Sequence, residues 1–212
     1  MHQGLFSFFA RQQPAQPPPS VANLAVHPLP QRWQARCGTP LTLRPVRHGD
    51  AGLLGQLLDE GLSQQSRYSR FHGALGRLSP ARLAWLAEVD FKIHVAFVVT
   101  LVDQGQEQAV AEGRWFRTAG SSRAELALAV ADRWQQQGLG GRLLRALVHA
   151  AQAAGLDELA ADVMAGNRAM LALATGHQFQ STEHPDDQGL VRAAVALSAS
   201  PRNRWASLPW LH

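Results

Sequence analysis

The sequence has one cysteine (Cys37), one lysine (Lys92) and one tyrosine (Tyr68), and each scarcity narrows the functions open to it. A single cysteine forbids an internal disulfide and any zinc site built from several thiolates. The nine histidines show no HExxH or comparable metal-ligand spacing, so no metal is expected. No run of 18 apolar residues occurs, so neither a membrane span nor a membrane partner is expected. The opening "MHQGLFSFFARQQ" is apolar only from Leu5 to Phe9, with no basic segment before it, and is not expected to be a secretory signal. Together these absences point to a cytoplasmic protein. Lys+Arg number 20 against 16 Asp+Glu, yet no five basic residues are consecutive. Scattered arginines do not make a nucleic-acid footprint, so no nucleic-acid partner is expected. The arginine bias fits either a GC-rich genome or a surface for anions, which a guanidinium binds as a fork.

What is present is enough apolar residue for one packed domain, 46% of 212. Residues 1–38 are rich in Gln and Pro ("RQQPAQPPPS", "HPLPQRW") and read as a flexible arm. Residues 39–198 read as the folded domain, and 199–212 as an irregular tail whose Trp205 and Trp210 either fold back or meet a partner. The domain opens with "LTLRPV", which alternates like a strand, and a helix follows behind Asp50 as candidate cap. "SQQSRYSRFHG" reads as a short helix or loop, and "LSPARLAWLAEVD" as a helix with Ser79 at the N-cap and Pro80 at its first position. "HVAFVVTLVD", "AVAEGRWFRT" and "AELALAVAD" read as strands joined by short turns, the first apolar on both faces as a central strand is. A helix over 139–154, a strand "LDELAADVM", a short helix "NRAMLALAT" and two strands, "HQFQST" and "GLVRAAVAL", complete the domain. The order predicts an α+β fold: a mixed, mostly antiparallel sheet of about six to seven strands with helices on both faces.

Gly138, Gly140 and Gly141 stand where the helix 139–154 begins, although glycine is a poor helix former. Bare backbone there either makes a tight turn and a close helix–sheet contact or lets an anion reach the free amides of the first helical turn. Arg142 and Leu143 exclude two common nucleotide motifs, since a P-loop needs Lys then Ser/Thr after the last glycine and a dinucleotide fingerprint needs glycine at 143.

Gln135-Gln136-Gln137-Gly138-Leu139-Gly140 matches the Q/R-x-x-G-x-G/A loop of the GNAT superfamily, with a strand before, a helix after, and Asn167 opening a later helix. Residues 41–198 resemble that superfamily, and the pieces "SRYSRFHG", "LAEVDFKIHVAFV", "EGRWFR" and "EHPDDQGLVRAAVAL" are similar to the GNAT domain of bacterial protein-lysine acetyltransferases that modify acyl-CoA synthetases. The resemblance implies the GNAT fold and acetyl transfer from acetyl-CoA to an amine, most directly a protein lysine. A small-molecule amine, or a catalytically weak CoA-binding sensor or docking module, is the alternative. Oligomeric state is left open by the sequence.

For the site, the resemblance implies that Gln135, Gln136, Gln137, Gly138, Leu139, Gly140 and Gly141 take the pyrophosphate of coenzyme A. Ala129 and Val130 offer strand backbone to its pantetheine arm, and Asn167 bonds near the thiol end or caps its helix. It also makes Glu125, ten residues before Gln135, the general base, with Glu112 as a second candidate. Strand alternation sets Glu125 beside Ala127 and Ala129, an apolar wall that would raise its pKa; the competing role is a salt bridge to Arg123 or Arg114. His94 is a further titratable group, with a structural role as its alternative. Arg67, Tyr68, Arg70, Phe71, Arg114 and Trp115 are candidates to line the acceptor pocket. Two positions depart from the family: Ala174 stands where many members carry a tyrosine that protonates the leaving thiolate, and "TGHQ" precedes Phe179, with Gly176 the expected positive-φ residue.

Overall fold

The computed structural model describes residues 30–73 and 76–197. Trp205, Trp210 and the arm before residue 30 lie outside the described residues. Along the described chain the elements are β1 (Gln31–Gln34), β2 (Pro40–Pro45), α1 (Ala51–Gly55, continued by a wider π turn over Gln56–Glu60), α2 (Gln64–Phe71) and α3 (Pro80–Ala87). Then come β3 (His94–Asp103), β4 (Gln106–Arg117), β5 (Arg123–Val130), α4 (Leu139–Ala153), β6 (Glu158–Met164), α5 (Arg168–Gly176), β7 (Gln180–Glu183) and β8 (Leu190–Ala196).

The strands form one sheet ordered β1-β2-β3-β4-β5-β6-β8-β7. Every neighbouring pair is antiparallel except β5 beside β6. The α+β class and the mixed sheet stand as expected, with eight strands instead of six to seven. The additional strand is β1, inside the stretch read as the end of the arm. Trp33 pairs with Leu41 across the hairpin and packs on the core, and this apolar anchor outweighs the polar composition around it.

The continuous apolar run of β3 is explained by burial on both faces. Val95, Phe97 and Val99 pack toward α4, while Ala96 and Val98 pack toward α1–α3. On the first face Leu139, Leu143, Leu144 and Leu147 of α4 form one buried stripe at helical spacing. On the second, Leu54, Leu58, Phe71 and Leu86 cover the sheet. Ser79 caps α3 through its hydroxyl, with Pro80 following. Asp50 does not cap through its side chain. Its carboxylate is drawn into a bidentate pair with buried Arg44 at 2.7 and 3.0 Å and accepts the Arg47 amide at 2.7 Å. After α5 the positive φ falls on Gln178 (68°), not Gly176, and Phe179 turns inward to a buried position.

One irregularity positions the site. β5 is bonded to β4 from Ala124 to Val130, but to β6 only at Arg123↔Glu158, Ala124↔Leu159 and Glu125↔Ala160. Beyond Glu125 the two parallel strands part, and the sheet opens into a V.

Candidate active site

The opening between β5 and β6 is a cleft of about 750 Å³. Ser66, Ser69 and Arg70 from α2, with His72 just after it, form one wall, and Gly138 to Gly141 with Asn167 form another. The wall from α2 is tied in place at its start: the Ser63 amide donates to Asp132 at 3.2 Å, and Gln135 Nε2 reaches Asp132 Oδ1 at 3.2 Å and Ser66 Oγ at 3.4 Å.

Backbone direction in β5 follows from one bond. The Ala131 amide donates to Val110 O of the β4 side at 2.9 Å, and successive residues of a strand point their amides to alternate sides. The N–H and C=O of Leu128 and Val130 therefore face away from β4, into the cleft that both residues line. Their side chains pack with the α4 core, whereas Ala127 and Ala129 share the face of Glu125 toward α1–α3.

The loop after β5 presents more amides. Gln136 and Gly138 take positive φ, 59° and 85°, and α4 makes its first backbone bond from Arg142 N–H to Gly138 O at 3.3 Å. The amides of Leu139, Gly140 and Gly141 precede that bond and border the cleft at the positive end of the helix dipole. A Cβ at Gly138 would meet nothing within 4 Å, so glycine serves the φ there. A Cβ at Gly140 would lie 3.1 Å from Leu173 Cδ2, so glycine lets α5 approach there. Gly138→Ala is expected to cost about 1–2 kcal/mol, lowering the melting temperature by roughly 2–8 °C and weakening CoA-induced thermal stabilisation. An unchanged melting curve would remove the φ requirement. Gln135 and Gln136 line the cleft, but Gln137 does not, and its Oε1 is buried without a hydrogen-bond partner. Asn167 lines the cleft and also caps α5, its Oδ1 accepting from Met170 N at 3.1 Å.

Glu125 lies at the closed end of the V, half-buried, alongside Ala160. It is not itself among the lining residues, but Ala127 on its face and Asp162 across from it are. It has neither a hydrogen bond nor an ion pair to any described residue: Arg123 lies 4.0 Å from Glu158, and Arg114 is engaged by Glu112 at 2.8 Å. Burial first, and the Asp162 charge second, push its carboxyl up to about 7, against the lowering pull of Arg192 and Arg70. A carboxylate without a partner and with that proton affinity can accept a proton near neutral pH.

The chain that carries this cleft is similar to known proteins. The model of the acetyltransferase (GNAT) family matches residues 58–178. An acetyltransferase from Pseudomonas aeruginosa is 31% identical over 160 residues, covering 76% of this chain and 86% of the relative. The chain belongs to the GNAT family of acetyltransferases. The acetyltransferase Pat of Mycolicibacterium smegmatis is 32% identical over 151 residues, which cover 70% of this chain and 44% of that protein. The GNAT domain of S. lividans PAT superposes with a TM-score of 0.70 at 24% identity, covering 79% of this chain and 97% of that domain.

Within this GNAT domain several sequence candidates lie away from the cleft. Glu112 is fully buried on β4 and is held by Arg70 Nη2 and Arg114 Nε, each at 2.8 Å. Burial pushes its carboxyl up, but Arg114 and Arg70 outweigh this and hold it below the ordinary range. Both its oxygens accept from guanidinium donors and its side chain is fully enclosed, so unlike Glu125 it has no free oxygen to offer an incoming amine. Arg114 is equally buried; it donates to Leu86 O at 2.8 Å and lies 3.0 Å from His94 Nε2. Because a guanidinium only donates, His94 accepts at Nε2 and donates from Nδ1 to Glu88 O at 3.0 Å. Burial and Arg114 hold His94 neutral, clustered with the rings of Trp85 and Phe116, in a structural role.

Trp115 points into the opposite core, because adjacent residues of a strand face opposite sides. Phe71 is buried under α1–α3, Tyr68 is exposed, and Arg67 pairs with Asp59 at 3.1 Å. Of the six acceptor-pocket candidates only Arg70 lines the cleft. Ala174 is buried in the core and offers no acid. Sequence reasoning missed Asp162 and His72 as cleft residues. The interruption of an apolar strand by Asp162 was the signal for the first; His72 had none beyond its place after "SRYSRF".

Proposed function

We propose that this GNAT domain transfers the acetyl group of acetyl-CoA to the side-chain amine of a protein lysine, with Glu125 as general base. The observation that carries this is the unpaired, half-buried Glu125 carboxyl at the apex of a cleft edged by backbone amides. The cleft fits an extended, phosphorylated thioester. Leu128 and Val130 offer outward backbone groups for the pantetheine arm, and Leu139, Gly140 and Gly141 offer amides to the pyrophosphate. Gln135, Gln136, Gly138 and Asn167 border the same path, with Ala129 behind it.

At neutral pH a lysine amine is almost wholly protonated and is not a nucleophile. Glu125 takes one proton from the ammonium, directly or through water, and passes it to solvent. The Val130 amide, which faces away from β4, would donate to the carbonyl oxygen as it gains charge during attack. When bound, acetyl-CoA supplies the thioester carbonyl: the C–N bond forms, the C–S bond breaks, and the thiolate leaves with the electron pair. That thiolate takes the second proton lost by the nitrogen, which balances the transfer without the tyrosine that Ala174 replaces. The similarity of "SRYSRFHG" and "EHPDDQGLVRAAVAL" to protein-lysine acetyltransferases supports lysine over a small amine.

The test is thiol release from acetyl-CoA against a panel of small amines and an acyl-CoA synthetase. Release with the synthetase and not the amines is expected, together with thermal stabilisation by CoA. Absence of any CoA-induced stabilisation would remove the donor site. With Glu125 at about 7, kcat/KM is expected to rise tenfold per pH unit below 7 and to level off above it. A plateau extending down to pH 5 would exclude Glu125.

A further inference from the structure

Glu125 shares its face of the sheet with a second carboxylate. Ala160 lies beside Glu125 in the parallel register, and Asp162, two residues on, returns to the same face where the strands part. Asp162 lines the cleft, so it stands between Glu125 and the open end. Unlike Glu125 it is fully partnered. Arg192 Nη1, its cross-strand neighbour on β8, lies 3.3 Å away, and His184 Nε2 lies 3.4 Å away. Asp186 N donates to His184 Nδ1 at 3.2 Å, which leaves the proton of a neutral ring on Nε2, the nitrogen nearer Asp162. Arg192 also reaches Glu158 at 3.5 Å, which holds the guanidinium over β6.

We propose that Asp162 is a positioning residue for Glu125: its fixed negative charge, held by Arg192 and His184, keeps the free carboxylate basic enough to take a proton from the acceptor ammonium. This rests on the assignment of the base to Glu125. Two carboxylates on one face disfavour each other's ionised form. Asp162 has a guanidinium partner in Arg192 and Glu125 has none, so the neighbouring negative charge raises the proton affinity of Glu125. The groups around Glu125 are Asp162 from β6, Arg192 from β8, Arg70 from α2 and the uncharged Phe116 opposite it on β4. His72 at the end of α2 and His184 after β7 face Asp162. The two cations oppose the effect of Asp162, so removing an anion and removing a cation should act in opposite directions.

The experiment is a carboxyl-carbon NMR titration of Glu125 in the full chain without substrate, paired with the pH profile of thiol release. Asp162→Asn, nearly isosteric, is expected to lower the Glu125 midpoint by about one pH unit and to carry the acid limb of kcat/KM down with it. Arg192→Gln is expected to raise both, and its melting temperature checks that the fold survives. A Glu125 midpoint unmoved in Asp162→Asn and Arg192→Gln, each folded, overturns the proposal even if Glu125→Gln is inactive. Midpoints that move as expected while Glu125→Gln stays fully active establish the electrostatic coupling and remove the base assignment instead.

Discussion

Glu125→Gln is expected to lower kcat/KM for acetyl transfer by about 100- to 1,000-fold, while CoA still stabilises the protein thermally. Glutamine keeps the shape and removes only the proton affinity. The lost turnover should come with a gain in stability, which separates a chemical defect from a folding defect. The folded-state pKa of Glu125 is raised, to about 7 from an ordinary 4.5, so the folded chain holds a proton that the unfolded chain releases. Folding stability therefore falls as pH rises from about 4.5 to 7. Above that window the penalty is complete, up to roughly 3 kcal/mol. Glutamine never ionises and escapes it. The variant should melt on the order of 5 °C higher than the parent at pH 8, and the advantage should vanish at pH 5. Retention of more than a tenth of the parent kcat/KM at pH 8 would place the base elsewhere.

Glu112→Ala should fail in the opposite way, with stability lost first. Among the described residues its carboxylate is the sole anion between the buried guanidinia of Arg70 and Arg114, at 2.8 Å from each. Its removal leaves two buried cations facing each other. Breaking such a buried pair typically costs 3–5 kcal/mol. The melting temperature should fall by about 10 °C or more, visible in a thermal or urea transition. A catalytic Glu112 would give the reverse, turnover lost at unchanged stability. The folded-state pKa here is lowered, so the contribution is present above the ordinary carboxylate range and is lost as pH falls through the folded value. Acid should unfold the parent partly through this residue and the alanine variant not at all through it. The cluster also anchors α2, since Arg70 belongs to both the cluster and the cleft wall, so Glu112 affects the site only through its packing.

The run from β5 to α5 was legible in the sequence because its signals are local. The period changes from two to 3.6 at Gly138, the buried apolar stripe of α4 runs from Leu139 to Ala151, and Asn167 caps α5. The strand β1 was hidden by its Gln and Pro surroundings, and only Trp33 and Ala35 record that it is packed. Arg114 and Trp115 were grouped together as pocket residues although neighbours on a strand point apart. Alternation separates them, but which face of the sheet each occupies is set by the helices packed on it. Glu112 and Glu125 look alike in sequence, each a glutamate in an apolar strand. Only the cross-strand neighbours distinguish them: Ala129 and two arginines for one, Phe116 and Ala160 for the other.

The parting of β5 and β6 leaves the sheet with two strand margins in its interior, besides the outer ones at β1 and β7. Exposed margins invite other chains to add on, which is how sheets aggregate. Here the inner margins are recessed between α2 and α5, where a folded neighbour cannot reach them. What pairs with them must enter between the two helices, so the walls of the cleft select before its backbone does.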